Sequence, residues 1–293
     1  MKIGVIMKNI KILAICFSLF SFAFAFDWPQ NAVKSDSFFS YFGQLRGGQI
    51  SSSLIFYDPS PVKASEDGKV VAVLSEHNDE MGWFESPLGN AVVVSHNDNL
   101  MTVYGNLDAD YSPENIFELS DVSTGTSFGT SGNSGWQQGT SCLEFQVIDL
   151  LQKTAINPRV LMPHEGHERE LSVGAITAVG KNGTSYPVWN KMSLPAGQYM
   201  IYRARQKNTI PYKTSVSVNG ALTEVISYDK LKQSEKRLCV VGNNFYPVEK
   251  VYPNKDLQLL SLLTLSSGKN IVSITVTDIL GAEKAAEYII YVK

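Results

Sequence analysis

The sequence predicts an all-β protein of two parts, an antiparallel β-sheet domain followed by a C-terminal β-sandwich. Three observations carry this. First, no useful stretch places apolar residues at the i, i+3, i+4, i+7 spacing of an amphipathic helix. Second, nearly everything after residue 40 falls into short β-branched runs separated by turn residues. Third, the C-terminal part alternates small or polar residues with β-branched ones between regular turns, as the strands of a sandwich do.

Taken from the N-terminus, residues 1–25 read as a secretory signal peptide. Lys2, Lys8 and Lys11 form a basic start, Ile12 to Phe22 an apolar stretch, and Ala23-Phe24-Ala25 a small-x-small cleavage site. The apolar stretch is too short for a transmembrane helix, and no later segment is apolar enough to span. The expected location is therefore outside the cytoplasm, in the periplasm or at the cell surface of a bacterium. Ile15 stands where lipid attachment at Cys16 would require a small residue, which argues against a lipoprotein.

The chain has 293 residues, enough for two ordinary cores. In the first part, Lys69 to Leu74 is a short strand. Ala91 to Ser95 and Met101 to Tyr104 form a hairpin around the turn Asn97-Asp98-Asn99. Leu143 to Leu150 is another strand. The polar stretch from His164 to Glu170 then marks a boundary, so the expected domains are 26–165 and 166–293. In the second part, Leu194 to Tyr202 reads as turn then strand, and Ser215 to Asn219 and Leu238 to Val241 add strands. Gly268 to Asp278 alternates, Ile279-Leu280-Gly281 turns, and Tyr288 to Val292 ends the chain as a strand.

Composition excludes some functions. At 44% hydrophobic and 18% charged the chain is globular rather than disordered. Three of its 25 basic side chains lie in the leader, which leaves 22 against 28 acidic ones, a net charge of −6 that argues against a nucleic-acid partner. Beyond the leader only Cys142 and Cys239 remain. They read as two separate buried thiols and not as a disulfide framework.

Catalytic zinc needs several ligands converging on one point with a position left open. The four histidines are His77, His96, His164 and His167, and none forms His-x-His, His-x-x-x-Asp or His-Glu-x-x-His. His164 and His167 are three apart in a charged linker without helical pattern. His77 and His96 read as surface or hydrogen-bonded side chains, because no partner ligand adjoins either. A thiolate nucleophile at Cys142 would need a base, which only folding could bring near. Gly129-Thr130-Ser131-Gly132-Asn133-Ser134-Gly135 does not continue into Gly-Lys-Ser/Thr and a helix, so it is not a phosphate loop.

Five landmarks in order carry a resemblance. They are "SPVKASEDGKVV" (Ser60 to Val71), "GNAVVVSHNDNLMTVYGNL" (Gly89 to Leu107), "VSTGTSFGTSGNSG" (Val122 to Gly135), "TSCLEFQV" (Thr140 to Val147) and "INPRVLMP" (Ile156 to Pro163). The region resembles the lysostaphin/LytM-type zinc endopeptidases, which cut cross-links in bacterial peptidoglycan. The resemblance implies a LytM-like β-sheet fold. The "GKNIVSITVTD" ending similarly resembles bacterial immunoglobulin-like modules.

Carried over position by position, the family's first zinc histidine falls on Gln49, counted back from Val62. Its zinc aspartate falls on Ser53, and the histidine of its Y-x-H-L motif on Asn106. The two histidines of its H-L-H motif fall on Cys142 and Glu144. Gln49 and Ser53 are poor zinc ligands, and Asn106 can be neither acid nor base. Cys142 and Glu144 supply two ligands, short of the three a catalytic zinc keeps. The resemblance therefore implies a degenerate site: no zinc or other cofactor, catalytic positions Asn106 and Cys142 emptied of function, and a groove lined by Gln49, Ser53, Asn106, Cys142 and Glu144. The expected function is an exported pseudo-peptidase that binds peptidoglycan or regulates a cell-wall hydrolase. The alternatives are an active endopeptidase using Cys142, Glu144 and a histidine, and a purely structural envelope protein.

Overall fold

The computed structural model describes residues 26–57, 59–75, 86–108, 116–136 and 142–293. The proposed leader, Cys16 and His77 lie outside these residues. The described chain is built almost entirely of β-strands, as the sequence predicts. Among the described residues the α-helical element is one turn, Val248–Val251, and no helix is long and apolar enough to cross a membrane.

The first half centres on an antiparallel sheet. Its strands run, across the sheet, Thr154–Ile156, Glu144–Asp149, Leu100–Leu107, Asn90–Ser95, Gly68–Leu74 and Asp121–Val122. The predicted hairpin is present. Asp98 and Asn99 both adopt left-handed backbone at φ 61°, a conformation Asp and Asn tolerate better than most residues. Alternation along the strands sends Val92, Val94, Tyr104, Phe145 and Val147 into one core, joined by Leu54, Phe56, Val62 and Phe128. Leu54–Phe56 pairs with the start of Glu144–Asp149, which places Ile55 opposite Glu144.

In the second half two sheets face each other. One contains Lys213–Val218, Ala221–Ser234, Gly268–Thr277 and Glu283–Val292. The other contains Ser185–Val188, Ile176–Gly180, Gly197–Ala204 and Leu257–Leu265 in that spatial order. Val216, Ile274 and Val276 of the first meet Ala178, Ile201 and Leu263 of the second in one core, the arrangement of a β-sandwich.

The halves are joined by backbone pairing. Thr154, Ala155 and Ile156 pair with Lys232, Leu231 and Lys230, so one sheet runs through both. A third core cluster sits at this junction. Phe42, Ile50 and Ala155 of the first half pack with Tyr202, Tyr228, Leu231, Tyr252 and Leu259 of the second.

Candidate functional site

The strand Glu144–Asp149 and its approach set the geometry. Alternation puts Cys142 and Glu144 on one face while Leu143 enters the core. Glu144 lies between two strands, opposite Gly105 on one side and Ile55 on the other. Ser53 directly precedes the Ile55 strand, so its hydroxyl meets the Glu144 carboxylate: Ser53 Oγ donates to Oε1 at 2.5 Å. Gln146 Nε2 donates to the same oxygen at 3.1 Å.

The other carboxylate oxygen faces a cation that sequence reasoning missed. Arg46 Nη1 lies 3.6 Å from Glu144 Oε2. Arg46 sits on a tight hairpin of Leu45–Arg46 and Gln49–Ile50, with Arg46 paired opposite Gln49. The two turn residues, Gly47 and Gly48, have φ of 55° and 77°, the left-handed pair that a two-residue hairpin demands. The "RGGQ" stretch was the available signal, since a Gly-Gly turn places its flanking residues opposite each other. Gln49 itself is exposed on this hairpin, and the side chain engaging Glu144 is that of its neighbour across the turn.

Asn106 is fully buried with left-handed backbone at φ 63°. Its amide nitrogen donates to the carbonyls of Gly132 (2.8 Å) and Cys142, and its Oδ1 accepts from Gly135 N–H at 2.8 Å. One side chain thus ties the glycine-rich loop to the approach of the Glu144 strand. Gly132 is needed there, because a Cβ would lie 2.6 Å from Asp108 Cα. Cys142 is buried beside these groups. Burial pushes its thiol up to about 11, against a lowering by Arg46 and with a further rise from Glu144, so at neutral pH it is a protonated thiol and not a thiolate.

The structure therefore joins Ser53 and Arg46 to Glu144, with Cys142 beside them and Asn106 bonded to the Cys142 carbonyl, and leaves Gln49 on the surface. These donors do not fit zinc. The carboxylate is engaged by a guanidinium, a hydroxyl and an amide, the thiol holds its proton, and the Asn106 amide is committed to backbone. Among the described residues no three His, Cys, Asp or Glu side chains gather closely enough to hold a metal ion.

The three described histidines serve elsewhere. His96 Nδ1 lies 2.8 Å from the Asp67 carbonyl, which can only accept, so Nδ1 carries the proton. Its Nε2 lies 2.7 Å from Thr102 Oγ1. Thr102 is three residues along its strand from Gly105, the partner of Glu144, or roughly 10 Å, so His96 is not the base for Cys142. His164 is half-buried near Arg159 and Glu168, and burial, then Arg159, holds its imidazole below the usual histidine range. The His167 carbonyl accepts from Ser35 Oγ at 2.6 Å.

The Arg46 hairpin is held from the second half of the chain. Tyr252 Oη donates to Gly43 O at 2.7 Å. Gln44 Nε2 reaches the carbonyls of Lys207 and Thr209 at 3.2 and 3.3 Å, and Arg205 Nη1 reaches Leu45 O at 3.3 Å.

Residues 54–158 match the family model described as Peptidase family M23, and these residues carry the sheet and the strand of Glu144. Through residues 54–158 the chain belongs to peptidase family M23. A separate family model matches residues 170–293. An uncharacterized protein of Treponema pallidum (strain Nichols) is 31% identical over 120 residues, which span 38% of this chain and 79% of that relative. Among solved structures, the chain is similar to three of low identity. A chain of the SpoIIIAH and SpoIIQ complex is 20% identical, covering 47% of this chain and 99% of that one at a TM-score of 0.36. A zinc-containing peptidase from Vibrio cholerae is 22% identical, covering 42% of this chain and 36% of that one at 0.32. The catalytic domain of a prophage-encoded M23 protein from Enterococcus faecalis is 24% identical, covering 41% of this chain and 86% of that one at 0.32.

Proposed function

We propose that this M23-family chain is an exported pseudo-peptidase. A degenerate LytM-like domain spans residues 26–165, and an immunoglobulin-like sandwich spans 166–293. Its M23 domain binds peptidoglycan or a cell-wall hydrolase without cutting, on the surface where Gln49 lies exposed over the buried Ser53, Asn106, Cys142 and Glu144. The observation that carries this reading is the engagement of Glu144, at a position where the resemblance implies a zinc ligand, by Arg46, Ser53 and Gln146. A positive charge belonging to the chain itself neutralises that carboxylate, and a dication placed beside a guanidinium would be repelled.

The test is to incubate the leaderless protein with zinc and cross-linked peptidoglycan and count new amino termini. None above the zinc-only control is expected, while co-sedimentation with the sacculus, or with a cell-wall hydrolase, is expected. Time-dependent release of termini would overturn the reading. Retention only of a variant cut after His167 that lacks the first half would show that the sandwich alone does the binding.

A further inference from the structure

An open groove in the second half lies far in sequence from the M23 site. Its floor is the outer face of the four-stranded sheet. Val179 pairs with Met200, and Met200 with Leu262, so these three stand in one row across the strands. Their neighbours Ala178, Ile201 and Leu263 face the sandwich core, so alternation turns the row outward. One wall is the segment from Phe245 through the helical turn Val248–Val251, with Pro247 and Pro253. The groove has a volume of about 680 Å³, within the range of sites that hold small ligands or short peptide stretches. Val179, Met200 and Leu262 are only half-buried, and Phe245 is 46% exposed.

Its charge runs against that of the molecule. Lys181 and Lys250 are exposed on the rim. The Lys232 ammonium stands 5.5 Å from the centre of the Phe245 ring, a cation–π contact that holds the aromatic wall beside positive charge. The acidic side chain lining the groove, Glu249, is engaged by Arg237 at 2.9 Å. An apolar floor with a lysine rim thus sits on a chain of net charge −3. We infer that this groove is a docking site for an acidic peptide segment of a partner protein, with apolar side chains against Met200, Leu262 and Phe245 and carboxylates toward Lys181 and Lys250. A neutral sugar chain would draw no charge attraction from Lys181 and Lys250, whereas an acidic segment would. Steering of an acidic segment by the lysines would raise its association rate and make binding salt-dependent.

The experiment is to pan a random peptide display library on the full leaderless chain and to synthesise the enriched sequences with a fluorescent label. Enriched peptides should combine Asp or Glu with large apolar residues. Anisotropy titrations should show affinity falling about tenfold in the Lys181→Glu/Lys250→Glu double variant and about tenfold in Phe245→Ala, as expected for loss of charge and of an aromatic anchor. Replacing the peptide's acidic residues by lysine should abolish binding, and Arg46→Gln should leave it unchanged. The inference fails if no peptide is enriched, if enrichment shows no acidic bias, or if the lysine version binds equally well. It also fails if the groove variants bind like the parent while Arg46→Gln does not, or if soluble peptidoglycan fragments displace the peptide, which would assign the groove to glycan.

Discussion

Asn106 offers the sharpest test of how the M23 site is held together. Its amide makes three hydrogen bonds to backbone of two segments, at Gly132, Cys142 and Gly135, the first two buried and the third partly buried. Asn106→Ala removes all three. Each net bond is worth about 1 kcal/mol, and alanine at this left-handed φ adds about 1 kcal/mol more, for a loss of about 3–5 kcal/mol. Asn106→Asp is nearly isosteric and keeps the acceptor for Gly135 N–H. It sets an oxygen in place of the amide nitrogen, toward two carbonyl oxygens, so at pH 7 it should cost at least as much as alanine. Burial and those carbonyls disfavour the charged form, which raises the new carboxyl's folded pKa above its unfolded value near 3.9. The folded state then binds more protons between these two values, so stability recovers as pH falls through the raised pKa. A protonated carboxyl can donate to one carbonyl, a gain of about 1 kcal/mol. Urea unfolding followed by tryptophan fluorescence at neutral and mildly acidic pH measures both effects against the parent. A loss below about 1 kcal/mol for Asn106→Ala, or an Asn106→Asp penalty that does not shrink on acidification, would refute the reasoning.

Other substitutions probe the rest of the site and its junction. In a double-mutant cycle, Arg46→Gln and Glu144→Gln should couple by about 1 kcal/mol in urea unfolding, since the pair is partly buried; no coupling would show that the ion pair is incidental. Gly43→Ala should destabilise the chain by about 2–4 kcal/mol. The new Cβ would sit 2.6 Å from the buried Tyr228 ring at a φ of 82°, which combines left-handed strain with overpacking. A neutral outcome in the same urea assay would mean that the junction yields easily. The imidazole of His164 is held below its usual range by burial and Arg159, so the unfolded chain binds more protons just below the unfolded histidine pKa of about 6.5, and acidification through that value should lower stability. His164→Asn should reduce this part of the pH dependence of the melting temperature, and an unchanged profile would remove His164 as its source.

The elements readable in the sequence were those set by near neighbours. Gly68–Leu74, Asn90–Ser95 and Glu144–Asp149 follow from local alternation and turns, and lie within a residue of their predicted bounds. The strand Ala221–Ser234 was missed. Its alternation is broken by an irregularity between Ser227 and Leu231, where pairing to Arg237–Val241 shifts register, and periodicity cannot be read across such a break. Leu257–Leu265 was missed as well, because its polar residues Gln258, Ser261 and Thr264 recur every third position and the strand shows no period of two.

The candidate site divides in the same way. Position-by-position resemblance pointed to Gln49, Ser53, Asn106, Cys142 and Glu144; residue chemistry made Gln49 and Ser53 poor zinc ligands and left Cys142 and Glu144 one short of a catalytic set. That Ser53 bonds Glu144, that Asn106 holds three backbone groups, and that Arg46 supplies the opposing charge were decided by strand register and hairpin geometry. Tyr252 Oη reaches Gly43 O across 209 residues of sequence, and Ala155 pairs with Leu231 to carry one sheet through both halves. The sequence by itself determined that this chain is β-built and that the side chains at the positions carried over from the resemblance include no histidine, because strand patterns and residue chemistry belong to single residues and their neighbours. Only the tertiary structure decided what those side chains engage, because an ion pair depends on which distant strands lie side by side, and no local pattern encodes that.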